Sequence, residues 1–459
     1  MKYIWTKTNL SLDRALALLC FLLIIQVTSF IIFKARPLLQ DNLYSTQMEQ
    51  TKSFVKVDGT RFILNNKPHY IIGANYWQAM NLGMESGNRS RVLKDLETLK
   101  ENGFNCLRIM AASEGPPGEP YRMYPALMNA PGEYDESTGL DWFLAQLKNY
   151  DMTAIMTLSN FWHWSGGFAQ YVHWVDDSKP IPYPETAGTA FDIYTSRFYT
   201  DEKVKDTCQK YYLNHVKTVI NRVNSVNGIV YKNDPTIFSW ELANEPQAVD
   251  VLNIPNGHDL VFQWFDNTAK FIKSLDENHL VTTGTEGKHG KEWFITMHKS
   301  DYIDFTSVHV WVENWGHYNS DDPSPENYQR AANFMLGFLQ DTSDWSTQLL
   351  KKPVLLGEYG MARDGWKEIS KYDPKATVTN RNKYFKEISN KILELEKQNA
   401  STGLMFWAFA GTARPTDSRP TWVGDPPHEV PGWYSVYDSD LETLRIFFDH
   451  SKQIINESE

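Results

Sequence analysis

The chain has 459 residues, enough for two or three average domains or for one large α/β barrel. With 42% hydrophobic and 22% charged residues and no low-complexity tract, it has the composition of a packed globular protein, which excludes a disordered or fibrous chain. The formal charge is −11, and residues 1–36 hold five basic side chains against one acidic, so the remainder carries about −15; with no Lys/Arg run in it, the footprint of a nucleic-acid binder is missing and polyanionic ligands are disfavoured.

Residues 1–14 read as a short cytoplasmic tail. Residues 15–33 (ALALLCFLLIIQVTSFIIF) are 19 without a charge, bracketed by Arg14 and by Lys34 and Arg36. At ~1.5 Å rise per residue that length spans a bilayer core. It exceeds the ~7–15-residue apolar stretch of a cleavable signal, and no clear small-x-small site follows. The expectation is a single N-terminal transmembrane signal-anchor, type II, with the large domain lumenal or extracellular; secretion after cleavage is the alternative. Residues 34–51 form a polar stalk. Sequons at Asn88, Asn399 and Asn456 agree with export. Cys20 lies in the anchor, Cys106 sits in an apolar run and reads as a core thiol, and a disulfide to Cys208 is possible but not needed by a domain this large. No His/Cys cluster has metal-ligand spacing, so no metal is expected, and no other cofactor.

The large domain is expected over 52–455. Residues 53–66 alternate apolar and polar around Asp58-Gly59, the pattern of a β-hairpin. Short apolar runs then recur at 70–76, 105–110, 153–159, 236–243, 280–285, 305–310, 354–357 and 403–409. Helix-period stretches separate them, at 91–100, 141–149, 203–224, 259–275, 326–339 and 383–398. Buried runs joined by helices imply parallel strands with right-handed crossovers. Eight of them without a glycine-rich phosphate loop predict a (β/α)₈ barrel of the TIM type.

Such a barrel gathers its chemistry at the C-terminal ends of its strands. The eight runs end in Asn75-Tyr76-Trp77, Arg108, Asn160-Phe161-Trp162-His163-Trp164, Asn244-Glu245-Pro246, Glu286, His309 with Trp311, Glu358-Tyr359-Gly360, and Trp407. One strand-ending carboxylate reads as a helix cap. Eight ends that all carry donors, acids or large aromatics read as one working rim. Most of the 16 tryptophans belong to an aromatic core, and the surplus suits the apolar CH faces of sugars. Cleaving a glycosidic bond needs one protonated carboxyl to release the leaving oxygen and one ionised carboxyl to attack the anomeric carbon. Glu245 and Glu358, on the fourth and seventh runs, face each other across the mouth. That placement suits the ~5–5.5 Å separation of a retaining mechanism, against ~6.5–9.5 Å for inversion.

The motifs carry a resemblance. Trp240-Glu241-Leu242-Ala243-Asn244-Glu245-Pro246 resembles the acid/base motif of clan A glycoside hydrolases, and Leu355-Leu356-Gly357-Glu358-Tyr359-Gly360 their nucleophile motif. Asn-Glu-Pro alone is a weak match; with Glu358, Arg108 and His309 in order it is strong. Residues 158–174 (LSNFWHWSGGFAQYVHW), Thr283-Gly284-Thr285-Glu286-Gly287, Arg363-Asp364-Gly365, 406–415 and 424–437 resemble the endo-β-1,4-mannanase-like subfamily of family five.

The resemblance implies a retaining endo-β-1,4-mannanase acting on neutral mannan or glucomannan. It implies Glu245 as acid/base, Glu358 as nucleophile, and Asn244 on the sugar 2-OH at subsite −1. Arg108 would keep Glu358 ionised and His309 would orient the pair. Trp407 would be the −1 platform, with Trp162, Trp164 and Trp315 at neighbouring subsites. Trp311 stands where relatives place a tyrosine that bonds the nucleophile, and Thr412 where they carry an acid in the last loop. The residues alone leave Glu286 open between a substrate contact and a loop tether. Glu241 reads as an acid inside the barrel paired with a cation, and His289, His298 and His317 as surface residues. A β-1,4-glucanase or transglycosylase of the same clan, or a catalytically silent glycan-binding barrel, remain as alternatives; the presence of both carboxylates and Arg108 speaks against the last. No oligomeric state follows from the sequence.

Overall fold

The computed structural model describes residues 53–135, 139–249, 254, 256–415 and 422–458. Each of the eight apolar runs contributes one parallel strand: β1 Ile71–Asn75, β2 Cys106–Met110, β3 Thr153–Thr157, β4 Ile237–Glu241, β5 Leu280–Thr282, β6 Thr306–Val310, β7 Val354–Tyr359 and β8 Gly403–Phe406. The ladder runs β5-β4-β3-β2-β1-β8-β7-β6. Its two ends meet through a parallel bridge between Glu286 and His309, and the His309 N–H donates to the Thr285 carbonyl at 3.2 Å. The result is the nearly closed barrel expected of a (β/α)₈ fold.

Strands of this kind are buried on both faces, which is why they read as unbroken apolar runs rather than alternating ones. One inward layer near the strand starts includes Ile71, Cys106, Ile155, Phe238, Leu280 and Met405. A three-stranded antiparallel sheet, Lys56–Asp58, Arg61–Leu64 and Lys67–His69, covers this end of the barrel. Its Phe62 is fully buried and meets Phe238 and Phe305 edge-on, each at a centroid distance of 5.0 Å. Phe62→Ala should therefore lower stability by about 3–5 kcal/mol, read from the urea midpoint at unchanged m-value. A midpoint within error of the parent would show that the sheet is not a structural plug.

The helices follow their local chemistry. Arg89–Glu101 starts at Asn88, whose side chain accepts the Arg91 N–H, and Pro325–Asp344 starts with proline after Ser324, which accepts the Asn327 N–H. The helices Gly167–Val175, Ala190–Thr200 and Leu441–Ser458 had not been read from the pattern. The fifth strand is shorter than expected because Gly284 (φ +77°) turns the chain there; a Cβ on it would lie 2.1 Å from the Ala243 carbonyl oxygen and 2.7 Å from the Glu241 carboxyl carbon. The eighth run divides into β8 and a second short strand, Phe409–Gly411, that pairs with Val436–Tyr437.

Among the described residues no helix is long and apolar enough to cross a membrane. The segments expected as tail, anchor and stalk (1–14, 15–33, 34–51) lie outside the described residues. Cys106 and Cys208 are both buried free thiols, so no disulfide joins them. His298 is a correction: it is fully buried, not on the surface, and bonds Thr283 Oγ1 at 2.6 Å beneath the β5 end.

Candidate active site

The period of two along a strand sends alternate side chains into the barrel, and the inward ones nearest the C-terminal ends form the floor of the mouth. Arg108, on β2, is the hub of that floor. Its Nη2 and Nε donate to Glu241 Oε1 at 2.6 and 2.9 Å, so Glu241 is the interior acid paired with a cation. Nη1 donates to Asn75 Oδ1 at 2.9 Å and to a Glu358 oxygen, and Nη2 to Asn244 Oδ1 at 2.7 Å. The planar fork of a guanidinium suits this task, since it reaches several acceptors in one plane. Four strands are thereby tied through a single buried cation. Asn75 passes the tie on, donating to the Gly357 carbonyl at 2.9 Å and the Phe406 carbonyl at 3.2 Å.

Glu245 leaves the end of β4 with φ +49°, a left-handed conformation uncommon outside glycine. Its N–H donates to the Gly284 carbonyl at 2.8 Å, which fixes the turn. The carboxyl accepts the Trp162 indole N–H at 2.6 Å and meets His309 Nδ1 at 3.0 Å. The same His309 nitrogen lies 3.4 Å from Glu358 Oε2. One oxygen of Glu245, one of Glu358 and one ring nitrogen of His309 all fall within 4.8 Å of one another. The two carboxyl groups are thus as close as a retaining mechanism requires.

Burial dominates the electrostatics. It pushes the Glu245 carboxyl up, against the opposing pull of Lys288, the Trp162 N–H and Arg108. It also pushes Glu358 up, with Arg108 pulling down and Glu245 and Glu241 adding to the rise. The expectation that Arg108 keeps Glu358 ionised has its sign right; half of the fork is spent on Glu241, and burial outweighs its pull. Two carboxyls this close cannot both ionise easily, so the pair shares a proton. Arg108 bonds Glu358 and not Glu245, a contact that favours the charge on Glu358 and the proton on Glu245. Burial and Arg108 drive His309 well below its usual range, so it sits between them as a neutral ring.

Of the residues singled out from sequence, Glu245, Glu358, Asn244, Glu286 and the tryptophans 162, 164, 311, 315 and 407 line one cleft of about 340 Å³. Arg108 and His309 lie directly behind it. Trp407 and Trp164 pack edge-on at 6.1 Å, and Trp311 meets Trp407 at 6.2 Å, an aromatic corner at the β8 side. The Trp311 indole, where the resemblance placed a tyrosine beside the nucleophile, helps to lower the Glu245 carboxyl. Glu286 accepts the Trp315 indole N–H at 2.8 Å and pairs with Lys288 at 2.6 Å. Sequence reasoning missed Lys288, Asn314, His428, Glu429 and Tyr434, which complete the wall. They sit in loops, where no period marks them; the only signal was that 424–437 belonged to a family motif.

Two buried carboxyls this close at the mouth of a (β/α)₈ barrel, walled by tryptophans packed edge-on, are the arrangement of a glycoside hydrolase. The model of the family described as glycoside hydrolase family 5 beta-mannosidase-like matches residues 52–459, and the chain belongs to that family. A solved family 5 mannosidase from Rhizomucor miehei is 40% identical, with a TM-score of 0.83 over 89% of this chain and 99% of that one. A mutant of that mannosidase, 41% identical with a TM-score of 0.82, was solved in complex with mannosyl-fructose and matches 88% of this chain and 98% of that one. Mannan endo-1,4-beta-mannosidase 4 of Solanum lycopersicum is 31% identical over 83% of this chain and 90% of its own length. Mannan endo-1,4-beta-mannosidase 3 of Arabidopsis thaliana is 33% identical over 77% of this chain and 81% of its own.

Proposed function

We propose that the protein is a retaining, endo-acting β-mannan hydrolase that cleaves β-1,4-mannosidic bonds by double displacement, with Glu358 as nucleophile and Glu245 as acid/base. The observation that carries this reading is the asymmetric contact of Arg108, bonded to one carboxyl of the pair and not to the other. In the first step a Glu358 oxygen attacks the anomeric carbon, the glycosidic C–O bond breaks, and the Glu245 proton passes to the leaving oxygen. A glycosyl ester and an ionised Glu245 result. In the second step Glu245 takes a proton from water, the hydroxide equivalent attacks the same carbon, and the Glu358 carboxylate departs. The anomeric configuration is inverted twice and so retained. Asn244 is placed by Arg108 and by its own donation to Asn160 Oδ1 at 3.0 Å, in position to hold the 2-OH. Trp407 supplies the apolar platform for the −1 ring.

Support for mannan and for endo action comes from the activities after which the relatives are named. A second reading, release of single mannosyl units from chain ends, is favoured by the cleft itself. Its volume is near the lower end of the ~300–1,000 Å³ usual for small-ligand sites, and Pro426, His428 and Glu429 wall one side of it. Incubation with mannohexaose, glucomannan and cellohexaose separates these readings. The endo reading expects mannobiose and mannotriose first; mannose alone would support the second reading, and cleavage confined to cellohexaose would overturn mannan for glucan. β-Configured first product by NMR is expected, and α product would exclude retention. We further propose that residues 15–33 anchor the enzyme in a membrane with the barrel on the lumenal or outer side; the support is the charge-free length of that segment and the sequons beyond it. Extraction of the full chain from membranes by detergent and not by carbonate tests this.

A further inference from the structure

The wall beyond Glu245 contains a chain of contacts that the double-displacement scheme does not use. The Trp315 indole donates to Glu286 Oε1 at 2.8 Å, and Glu286 Oε2 pairs with Lys288 Nζ at 2.6 Å. Lys288 Nζ stands 5.3 Å from the centre of the Trp162 ring, within range of a cation–π contact. The Trp162 indole in turn donates to Glu245 Oε2 at 2.6 Å. Both Glu286 and Lys288 come from the turn after β5, the strand next to the one that carries Glu245. Among the described residues, Lys288 is the one cation that lines the cleft. With the −1 ring placed on Trp407 as proposed above, this wall is assigned to the leaving-group side of Glu245.

We propose that Glu286 and Lys288 are positioning residues for Glu245: the pair holds Trp162, whose N–H orients the Glu245 carboxyl, and the two opposite charges together set whether that carboxyl carries its proton. This rests on the assignment of Glu245 as acid/base. It settles Glu286 as a tether and charge partner rather than a free substrate contact. The charged and titratable groups that face Glu245 are Arg108 from β2, His309 from β6, Glu358 from β7, Glu286 and Lys288 after β5, and Glu429 from the loop after β8. Asp192, on the helix Ala190–Thr200, acts on the pair from outside. Among the pulls that oppose burial of Glu245, that of Lys288 is the largest. Glu286 is itself pushed up to about 7, by burial first and by Glu245 next.

The signs are separable. Removing the Glu286 charge lets Glu245 ionise more easily; removing the Lys288 charge does the reverse. Because loss of Lys288 alone would also neutralise Glu286, the clean comparison is E286Q against E286Q/K288M. The experiment is the pH profile of kcat/KM on mannotetraose with the full chain, where the basic limb reports loss of the Glu245 proton in the free enzyme. E286Q should move that limb down by about one pH unit, E286Q/K288M should move it back up by about as much, and K288R should keep the parent limb. Lower rates with coincident limbs in all variants would make the pair purely structural and overturn the proposal. A ¹³C-carboxyl NMR titration, with Glu245 assigned by E245Q, reads the same shifts without turnover. If the double variant fails to fold, the downward shift in E286Q and the parent limb in K288R still decide the matter. A parent protein inert on every β-mannoside would overturn the functional reading instead, and the NMR titration would still judge this one.

Discussion

Glu358→Ala should abolish hydrolysis, by about 10⁴-fold or more in kcat, while mannooligosaccharides still bind. The expectation follows from the proposed two-step scheme, in which a Glu358 oxygen attacks the anomeric carbon. Folding should survive the change. Arg108 keeps both bonds to Glu241 and its contacts with Asn75 and Asn244, so the buried cation stays compensated. The cavity left by the side chain also offers a rescue. Azide added with an activated aryl β-mannoside should occupy it and displace the aryl group in one inversion, giving the α-mannosyl azide. Binding by calorimetry, turnover by product release and the configuration of the azide check the three parts. Residual hydrolysis near the parent rate would end the nucleophile assignment, and a β-azide would point to removal of the acid/base instead.

Glu245→Ala should divide substrates by leaving group. On mannan the departing oxygen is a poor leaving group and needs the proton, so kcat/KM should fall by about 10²–10⁴-fold. A dinitrophenyl β-mannoside leaves unaided, so its first step should be nearly unchanged. Its second step loses the base, the glycosyl ester accumulates, and both kcat and KM should drop together. Azide should now attack the ester and yield the β-mannosyl azide. Equal losses on both substrates would show that Glu245 serves binding or structure rather than proton transfer.

The barrel was legible because its signal is redundant. Eight apolar runs, each a few residues long and separated by a helix period, leave few other ways to bury both faces of a parallel sheet. The strand-end rule then located residues far apart in sequence, and the structure brings Arg108, Asn244, Glu245, His309, Glu358 and Trp407 to one mouth. The even offset from Glu241 to Glu245 suggested a shared face, and Glu241 does turn inward to Arg108. Glu245 gets there differently, since its left-handed backbone leaves the strand before the period would apply. What sequence did not disclose lies in loops or in burial. Lys288 follows Glu286 by two in a turn, and nothing in the pattern sets it over Trp162. His298 looked like a surface histidine on a helix; only the packing of that helix against β5 and β6 buries it. The pull of Arg108 on Glu358 has the sign that the sequence suggests, but burial, which outweighs it, depends on packing that spacing cannot show.

The doubly engaged Arg108 has a consequence for inhibition. Its positive charge is divided between Glu241 and Glu358, so the charge on Glu358 is only partly compensated in an aromatic-walled cleft. Such a site favours a sugar ring that is itself cationic, as the ring is when the anomeric bond is half broken. A six-membered iminosugar with manno stereochemistry and its basic nitrogen at the anomeric position copies that charge in a stable molecule. It gains an ion pair with Glu358 that the neutral lactone of the same shape cannot form.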